Sequence, residues 1–442
     1  MWNDILFPAL LVCLVYLGTG LLMNALIDQL DKHVIQGAAP LDQILKIGIA
    51  FLLGAGTVTF IQFIVSLLRI PIIWTFYGFI PLALVGYFFR IKEMFHSKPH
   101  TSLLRISVWL LLIGLLFFFF TRSFSRTMYA WDTVAFWMPK MFALWQDKIV
   151  QKETFEFFNH PEYPLLLPMT GATVYTLYNA PNEVAVKVAL FGFTVAFVCI
   201  LEGFLHRTTS FPKKAFFLVL MLSIFIFREH IAGEYVGTAD IFVGMYIFAG
   251  AAALLSKRVY LALSLWSLVP WAKSEGMVWM LSSAILIVFF YWKDIPKKFL
   301  GYFLIPLMAS FTWSIYNKFI GISSQYFKFN ELYARPWAEY AVYSVHAFRE
   351  EFRNLEKWNL LFFFFFASVL TRLRIIVRTP ALLVIMLSLV AQVVSYMVIF
   401  TIAPEEQATF IAAAISRLTL HVAPTMLLVA AYLFGKETKE YV

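Results

Sequence analysis

Charge is scarce in this chain. Of its 442 residues only 14% are Asp, Glu, Lys or Arg, against about 25% in an ordinary globular domain. Cysteine is nearly absent: Cys13 and Cys199 are the only two, both inside apolar runs. A single disulfide is possible in principle, but two thiols at membrane depth are more often small core residues, and there is no metal-ligand cysteine spacing. There is no Gly-rich phosphate loop and no repeat at a fixed period, which excludes a P-loop enzyme and a solenoid.

What fills the chain is apolar. Hydrophobic residues make up 61% and aromatics 18%, with 48 Phe and 13 Trp, more than one compact core could bury. Lipid is the solvent that suits such a chain, because outward-facing side chains can then be apolar too. The net charge of +9 is dispersed in small groups between apolar segments. That excludes the basic patch of a nucleic-acid binder and matches the positive-inside pattern of a membrane protein. The first apolar run is long and lacks both a basic leader and a small-residue cleavage site, so it is expected to be retained.

A spanning helix needs about 20 apolar residues. The expected spans are 5–27, 44–68, 70–91, 104–121, 183–206, 214–229, 239–256, 276–292, 298–316, 358–377, 379–402 and 418–435, with a shorter one at 258–271. The fold class is therefore an all-α integral membrane protein of about thirteen transmembrane helices. Basic groups set its orientation: Arg90, Lys92 and Lys98; Arg207, Lys213 and Lys214; Lys257 and Arg258; Lys293, Lys297 and Lys298; Arg372, Arg374 and Arg378; Lys436 and Lys439. If each group is cytoplasmic, the spans between them come in pairs, with the C-terminus inside and the N-terminus outside. The domains expected are additional helices at 1–103, a core at 104–316 with a first outer loop at 122–182, an outer loop or lid at 317–357, and terminal helices at 358–442.

In the first outer loop, Trp131, Val134, Ala135, Met138, Met141, Phe142 and Trp145 recur at helical spacing, predicting an amphipathic helix in the membrane interface. The segment 163–179 is apolar but short and is expected to be interfacial or re-entrant. The run Phe362–Phe366 is expected to face lipid.

Ionisable residues near bilayer depth are the informative ones, since each costs about 2.5–3.5 kcal/mol at a helix centre. Four groups qualify. Asp132 in Tyr129-Ala130-Trp131-Asp132 is followed by Lys140 and by Asn159-His160-Pro161-Glu162-Tyr163-Pro164. Glu234 and Asp240 sit in Gly233-Glu234-Tyr235-Val236-Gly237-Thr238-Ala239-Asp240. Lys273 and Glu275 lie between two apolar stretches, and Arg417 precedes the last expected span, with His421 one turn on. Each has an ordinary explanation: a helix cap for Asp132, a favourable helix start for Asp240, a local ion pair for Lys273 and Glu275, a snorkelling anchor for Arg417. All four fall at the same expected face, which points to one outward-opening polar cavity.

Asp132 in Ala-Trp-Asp, Lys140 and His160-Pro161-Glu162-Tyr163-Pro164 resemble the first outer loop of bacterial GT-C glycosyltransferases, relatives of the protein O-mannosyltransferases and the aminoarabinose lipid A transferase. Gly237-Thr238-Ala239-Asp240 resembles their second acidic motif, Lys273-Ser274-Glu275-Gly276 a Lys-Xaa-Glu-Gly element, and Ser416-Arg417-Leu418 a late Ser/Asp-Arg-Leu element. The likeness is scattered over 122–424. The chain departs from the family by three spans ahead of its first one and by lacking a large C-terminal soluble domain. The resemblance implies a polyprenyl-phosphate or -pyrophosphate sugar donor, an inverting transfer to an acceptor hydroxyl, and a site on the non-cytoplasmic face of a bacterial plasma membrane.

A carboxylate must take the acceptor proton and fixed cations must meet the charge on the departing phosphate. Asp132 is accordingly assigned as base, with Arg417 and Lys273 as phosphate ligands. Lys140, His160, Glu162, Glu234, Asp240 and Glu275 are assigned to binding sugar or acceptor, and 317–357 to a lid or acceptor platform. Some relatives use a divalent metal; the oxygen-only donors here would suit Mg²⁺ or Mn²⁺ without requiring either. The competing readings are a transporter or flippase of lipid-linked glycans and a non-catalytic glycan-binding subunit. The acceptor could be a glycan, a lipid or a protein.

Overall fold

Long apolar runs leave the backbone no partner but itself, and every regular element among the described residues is helical. The computed structural model describes residues 2–34, 41–96, 103–155, 158–293, 295, 301–322, 337–402 and 407–435. Helices α1 (Trp2–Val34), α2 (Gln43–Ser66), α3 (Ile72–His96) and α4 (Leu103–Phe124) come first. A π-helical turn at Thr133–Trp137 leads into α5 (Met138–Asp147), followed by α6 (Leu166–Tyr178), α7 (Glu183–Thr208), α8 (Phe211–Ser223) and α9 (Phe225–Ala232). Next are α10 (Asp240–Leu255), α11 (Val259–Ser267), α12 (Val269–Ala272), α13 (Gly276–Tyr291) and α14 (Gly301–Ile320). The chain closes with α15 (Trp337–Arg353), α16 (Leu355–Trp358), α17 (Leu361–Thr371), α18 (Leu373–Arg378), α19 (Pro380–Ile402) and α20 (Gln407–Gly435).

Among the described residues, seven helices are long and apolar enough to cross a membrane: α1 to α4, α7, α19 and α20. The protein is thus a membrane-embedded helical bundle. The other expected spans take different forms. The one at 214–229 is broken at Ile224 into α8 and α9, bent by 65°, and 358–377 is divided among α16, α17 and α18. Helices α10, α13 and the α11–α12 pair are apolar but shorter than a full crossing. Lys98, Lys297, Lys298, Lys436, Lys439 and residues 323–336 of the 317–357 segment lie outside the described residues, as does the side chain of Lys92.

Helices α7, α10 and α20 form the centre. Almost every side chain of α10 is buried, whereas α4 turns Leu110, Leu111, Ile113 and Phe117 outward, as lipid-facing helices do. Where α1 crosses α2, backbone meets backbone: a Cβ on Gly20 would fall 1.6 Å from the Ala50 carbonyl oxygen, and one on Gly54 1.8 Å from that of Tyr16. Small residues at such crossings let apolar helices gain close van der Waals contact, the attraction that remains when lipid is as apolar as the side chains.

Three sequence expectations change. Of the two forms expected for 163–179, interfacial or re-entrant, the first does not hold: α6 is buried from Leu166 to Tyr175 against the bundle. The Phe run is divided, with Phe362 and Phe365 buried and Phe363 and Phe366 exposed. The last span begins at Gln407, so Arg417 lies inside α20 rather than ahead of it. The two thiols are free.

Charged residues sort to two ends of the bundle. At one, Arg105 bonds Asp42 at 2.9 Å and Glu202 at 3.1 Å, Lys214 also bonds Glu202, and Lys213 donates to the Phe434 carbonyl. Arg258 pairs there with Asp28 at 2.5 Å, and Asp31 accepts from the amides of Tyr260 and Leu261 at the start of α11. The other end holds Asp132, Asp240, Lys273 and Arg417. Helix α10 connects the two, its 16 residues spanning about 24 Å.

Candidate functional site

Asp132 stands immediately before the π-helical turn, at its N-cap position, and makes no capping bond with its side chain. Its capping role is therefore not realised; its Oδ2 instead accepts from Arg417 Nη1. The turn and α5 bury Thr133, Phe136, Trp137, Lys140, Met141 and Leu144 and expose Trp131, Val134 and Phe142, apolar on both sides as suits a helix between protein and lipid. Thr133 donates to the Val236 carbonyl at 3.3 Å, tying this segment to the loop that opens α10. Gly237 makes that approach feasible: its φ is +90°, and a Cβ there would meet Met128 Sδ and Thr133 Cγ2 at 2.9 Å.

The same loop delivers Asp240, which is 1% exposed. Lys273 Nζ donates to its Oδ1 at 2.8 Å and also pairs with Glu275 at 3.3 Å. The local pair expected between Lys273 and Glu275 exists, but Lys273 is shared with Asp240. The two ion pairs form one electrostatic cluster: Arg417 interacts with Asp240 and Tyr163 as well as Asp132, and Lys273 with Asp132 and Arg417 as well as its own partners. Residues from the first long connection, α10, the α12–α13 turn and α20 thus converge.

Beside this cluster stands an aromatic stack. Tyr163 is sandwiched between Trp137, at 5.6 Å and 10°, and His160, at 5.0 Å and 22°. Lys273 and Lys140 lie 5.5 and 5.9 Å from the Tyr163 ring centre. Lys140 is fully buried and donates to the carbonyls of His160 at 2.6 Å and Tyr163 at 3.2 Å. Burial pushes its ammonium down to about 7, against the pull of the Glu162 charge. Lys140 is therefore a clamp on the 160–163 loop. Glu162 lies 3.5 Å from His160 Nδ1, its carbonyl accepts from Trp313 and Asn317, and both its carboxylate oxygens are buried without a hydrogen-bond partner among the described residues.

Glu234 stays apart. Its side chain is exposed, and its backbone amide donates to the neighbouring Glu229 carboxylate at 3.1 Å. Glu229 was not singled out in the sequence; it pairs with Arg122 and lies 3.8 Å from Arg126, fastening α9 to the end of α4. Tyr163 was quoted within the 159–164 motif but was given no role. Tyr396 escaped sequence reasoning, since it looks like an ordinary buried aromatic; His421, one turn beyond Arg417, carried a signal.

Helix α15 covers part of the lid segment. It buries Ser344, Phe348 and Glu351 and exposes Val342, Tyr343 and Val345. Glu351 accepts from Trp358 Nε1 at 2.8 Å and from Lys357 at 3.1 Å, and Lys357 bonds Ser416 Oγ at 2.7 Å. The end of this segment is thus fixed next to Arg417.

Among the described residues no group of three or more His, Cys, Asp or Glu side chains is arranged to hold a metal ion. Asp240 and Glu275 share an ammonium, Lys273, in the place a cation would take. Chemically, the arrangement offers two carboxylates, each held by a cation, deep enough that little water screens them. No family model matches the chain, and neither a curated protein nor a solved structure matches it.

Proposed function

We propose that this protein is a GT-C-type glycosyltransferase of about thirteen spans. It moves a sugar from a polyprenyl-phosphate or -pyrophosphate carrier to an acceptor hydroxyl on the non-cytoplasmic face of a bacterial plasma membrane. The observation that carries this reading is the meeting of Asp132 with Arg417 beside the Lys273–Asp240 pair. The motifs that resemble the family supply these four residues, and they come from separate parts of the chain. Arg105, Lys213, Lys214 and Arg258 lie at the opposite end, and the last three belong to the basic groups that the sequence assigns to the cytoplasm.

The donor phosphate displaces Asp132 from Arg417 and binds Arg417 with Lys273 nearby. The freed Asp132 carboxylate accepts the proton of the acceptor hydroxyl as its oxygen attacks the anomeric carbon from the face opposite the phosphate. The bond from that carbon to the phosphate oxygen breaks, its electron pair leaves with the phosphate, and the two cations meet the charge. Attack opposite the leaving group inverts the anomeric centre. Glu162, His160 and Glu275 bind sugar hydroxyls, Asp240 orients the acceptor, and Glu234 contributes at the rim; Lys140 shapes the loop that carries the first two.

The test is release of polyprenyl phosphate from a panel of polyprenyl-phosphate sugars by purified protein. Wild type turns over at least one donor, Asp132→Asn loses turnover by at least about a hundredfold, and Arg417→Ala loses donor binding while remaining folded. Full activity in Asp132→Asn removes the base assignment. The depth of Arg417 and His421 within α20 favours a second reading, a transporter or flippase of lipid-linked glycans, since such proteins place ionisable groups deep in the membrane. Translocation of a labelled donor across liposomes without turnover would select it.

A further inference from the structure

Behind the two ion pairs lies a hydrogen-bonded chain that the proposed chemistry leaves unused. Tyr396 of α19 and His421 of α20 are fully buried. The Tyr396 hydroxyl lies 2.6 Å from His421 Nδ1, and His421 Nε2 lies 3.1 Å from Asp240 Oδ1. Lys273 donates to that same Oδ1 at 2.8 Å. The other oxygen, Asp240 Oδ2, is buried with no hydrogen-bond partner among the described residues.

Donor and acceptor roles fix the protons in this chain. A carboxylate oxygen only accepts, so His421 carries a hydrogen on Nε2. His421 is fully buried, where a charged ring is costly, so a neutral imidazole completes the contact, and its Nδ1 lone pair accepts the Tyr396 hydroxyl proton. The ring is thereby held in one tautomer and one orientation, as a ligating histidine is held by a partner on its far nitrogen. Two donors on Oδ1 stop the carboxylate from rotating. Oδ2 is left as a fixed, unpaired acceptor, and a buried polar atom without a partner calls for an explanation such as a ligand.

We infer that Tyr396 and His421 are positioning residues, a relay that presents Asp240 Oδ2 to a hydroxyl-bearing ligand. Naming that ligand as the sugar or acceptor rests on the glycosyl-transfer reading; the relay itself rests on the geometry. Neither residue touches the ligand; both act through Asp240.

Two measurements test this. The first is ¹⁵N NMR of histidine-labelled protein in nanodiscs at pH 7, with His421 assigned by the signal lost in His421→Asn. Wild type shows a single Nε2–H tautomer. In Tyr396→Phe, which removes one oxygen and leaves the ring packing, the Nδ1 signal moves to that of an unbonded lone pair. Rapid exchange between tautomers in wild type would overturn the relay.

The second is turnover of a polyprenyl-phosphate sugar accepted by wild type. Tyr396→Phe lowers kcat about tenfold with KM unchanged, the scale of one hydrogen bond. His421→Ala lowers it about a hundredfold, for two such bonds, and His421→Gln, whose amide N–H still reaches Asp240, restores part. Unchanged kcat in Tyr396→Phe and His421→Ala overturns the positioning role and leaves glycosyl transfer standing. A wild type inert on every donor removes the glycosyl reading instead, and the tautomer measurement alone then decides the relay.

Discussion

An anion approaching Arg417 meets a carboxylate already in place, since Asp132 occupies one of its guanidinium nitrogens. Ligand binding is therefore an exchange, and the internal carboxylate weakens it. Asp132→Asn keeps the shape, removes the charge, and should tighten binding of undecaprenyl phosphate by about tenfold, a charge-assisted bond's worth of competition. Calorimetric titration of the purified protein checks this, and unchanged affinity would mean that the pair does not compete. The residues that carry charge were legible in the sequence. Asp132, Asp240, Lys273 and Arg417 stand out because ionisable groups are few and costly among apolar runs. Tyr396 was not legible: it has the composition of core, and only its contact with His421, and through it with Asp240, distinguishes it. Glu234 shows the converse, a charge in the right motif that stays exposed.

At the scale of helices, the start of α2 is held by Asp42, whose carboxylate accepts from the amides of Ile44 and Leu45 as an N-cap and from Arg105. Burial alone would raise its pKa, but the Arg105 bond and charge and the two amides outweigh burial and hold it below the ordinary 3.8. A depressed carboxylate stabilises the fold fully above that value and loses the contribution as pH falls through the lowered one. Asp42→Ala should therefore lower stability at pH 7 by about 1 kcal/mol, the usual worth of a cap. The gap to wild type, followed by thermal unfolding in detergent, should close as pH drops below 3.8; a pH-independent gap would contradict the assignment. Gly54→Ala should cost more, about 1–3 kcal/mol, because the new methyl meets the Tyr16 backbone and not a movable side chain.

Helix existence was legible from hydropathy, and boundaries were not. Ser416, Arg417 and Gln407 dilute the apolar signal at the head of α20, so the sequence starts that helix late and puts Arg417 outside it. The break at Ile224 lacks the proline or glycine that marks most kinks. The burial of α6 depends on neighbours far along the chain: Tyr16 bonds Thr170 at 3.1 Å, and Gln62 bonds Thr173 at 3.0 Å.

At the scale of the whole molecule, two charged ends separated by the length of α10 imply two faces of the membrane. Exposed positions near each end report this directly. With the native cysteines replaced by alanine, Glu234→Cys and Lys257→Cys should label with an impermeant maleimide from opposite sides of sealed vesicles. Labelling of both from one side would contradict the arrangement.

The central claim is that Arg417, Asp132, Lys273 and Asp240 form one site for a lipid-linked phosphate. Electron cryomicroscopy of the protein in nanodiscs with undecaprenyl phosphate tests it most directly. The account predicts phosphate density within hydrogen-bonding distance of Arg417, Lys273 close by, and the Asp132 carboxylate turned away from the guanidinium. Lipid phosphate bound elsewhere, with Asp132 still paired to Arg417, would contradict it.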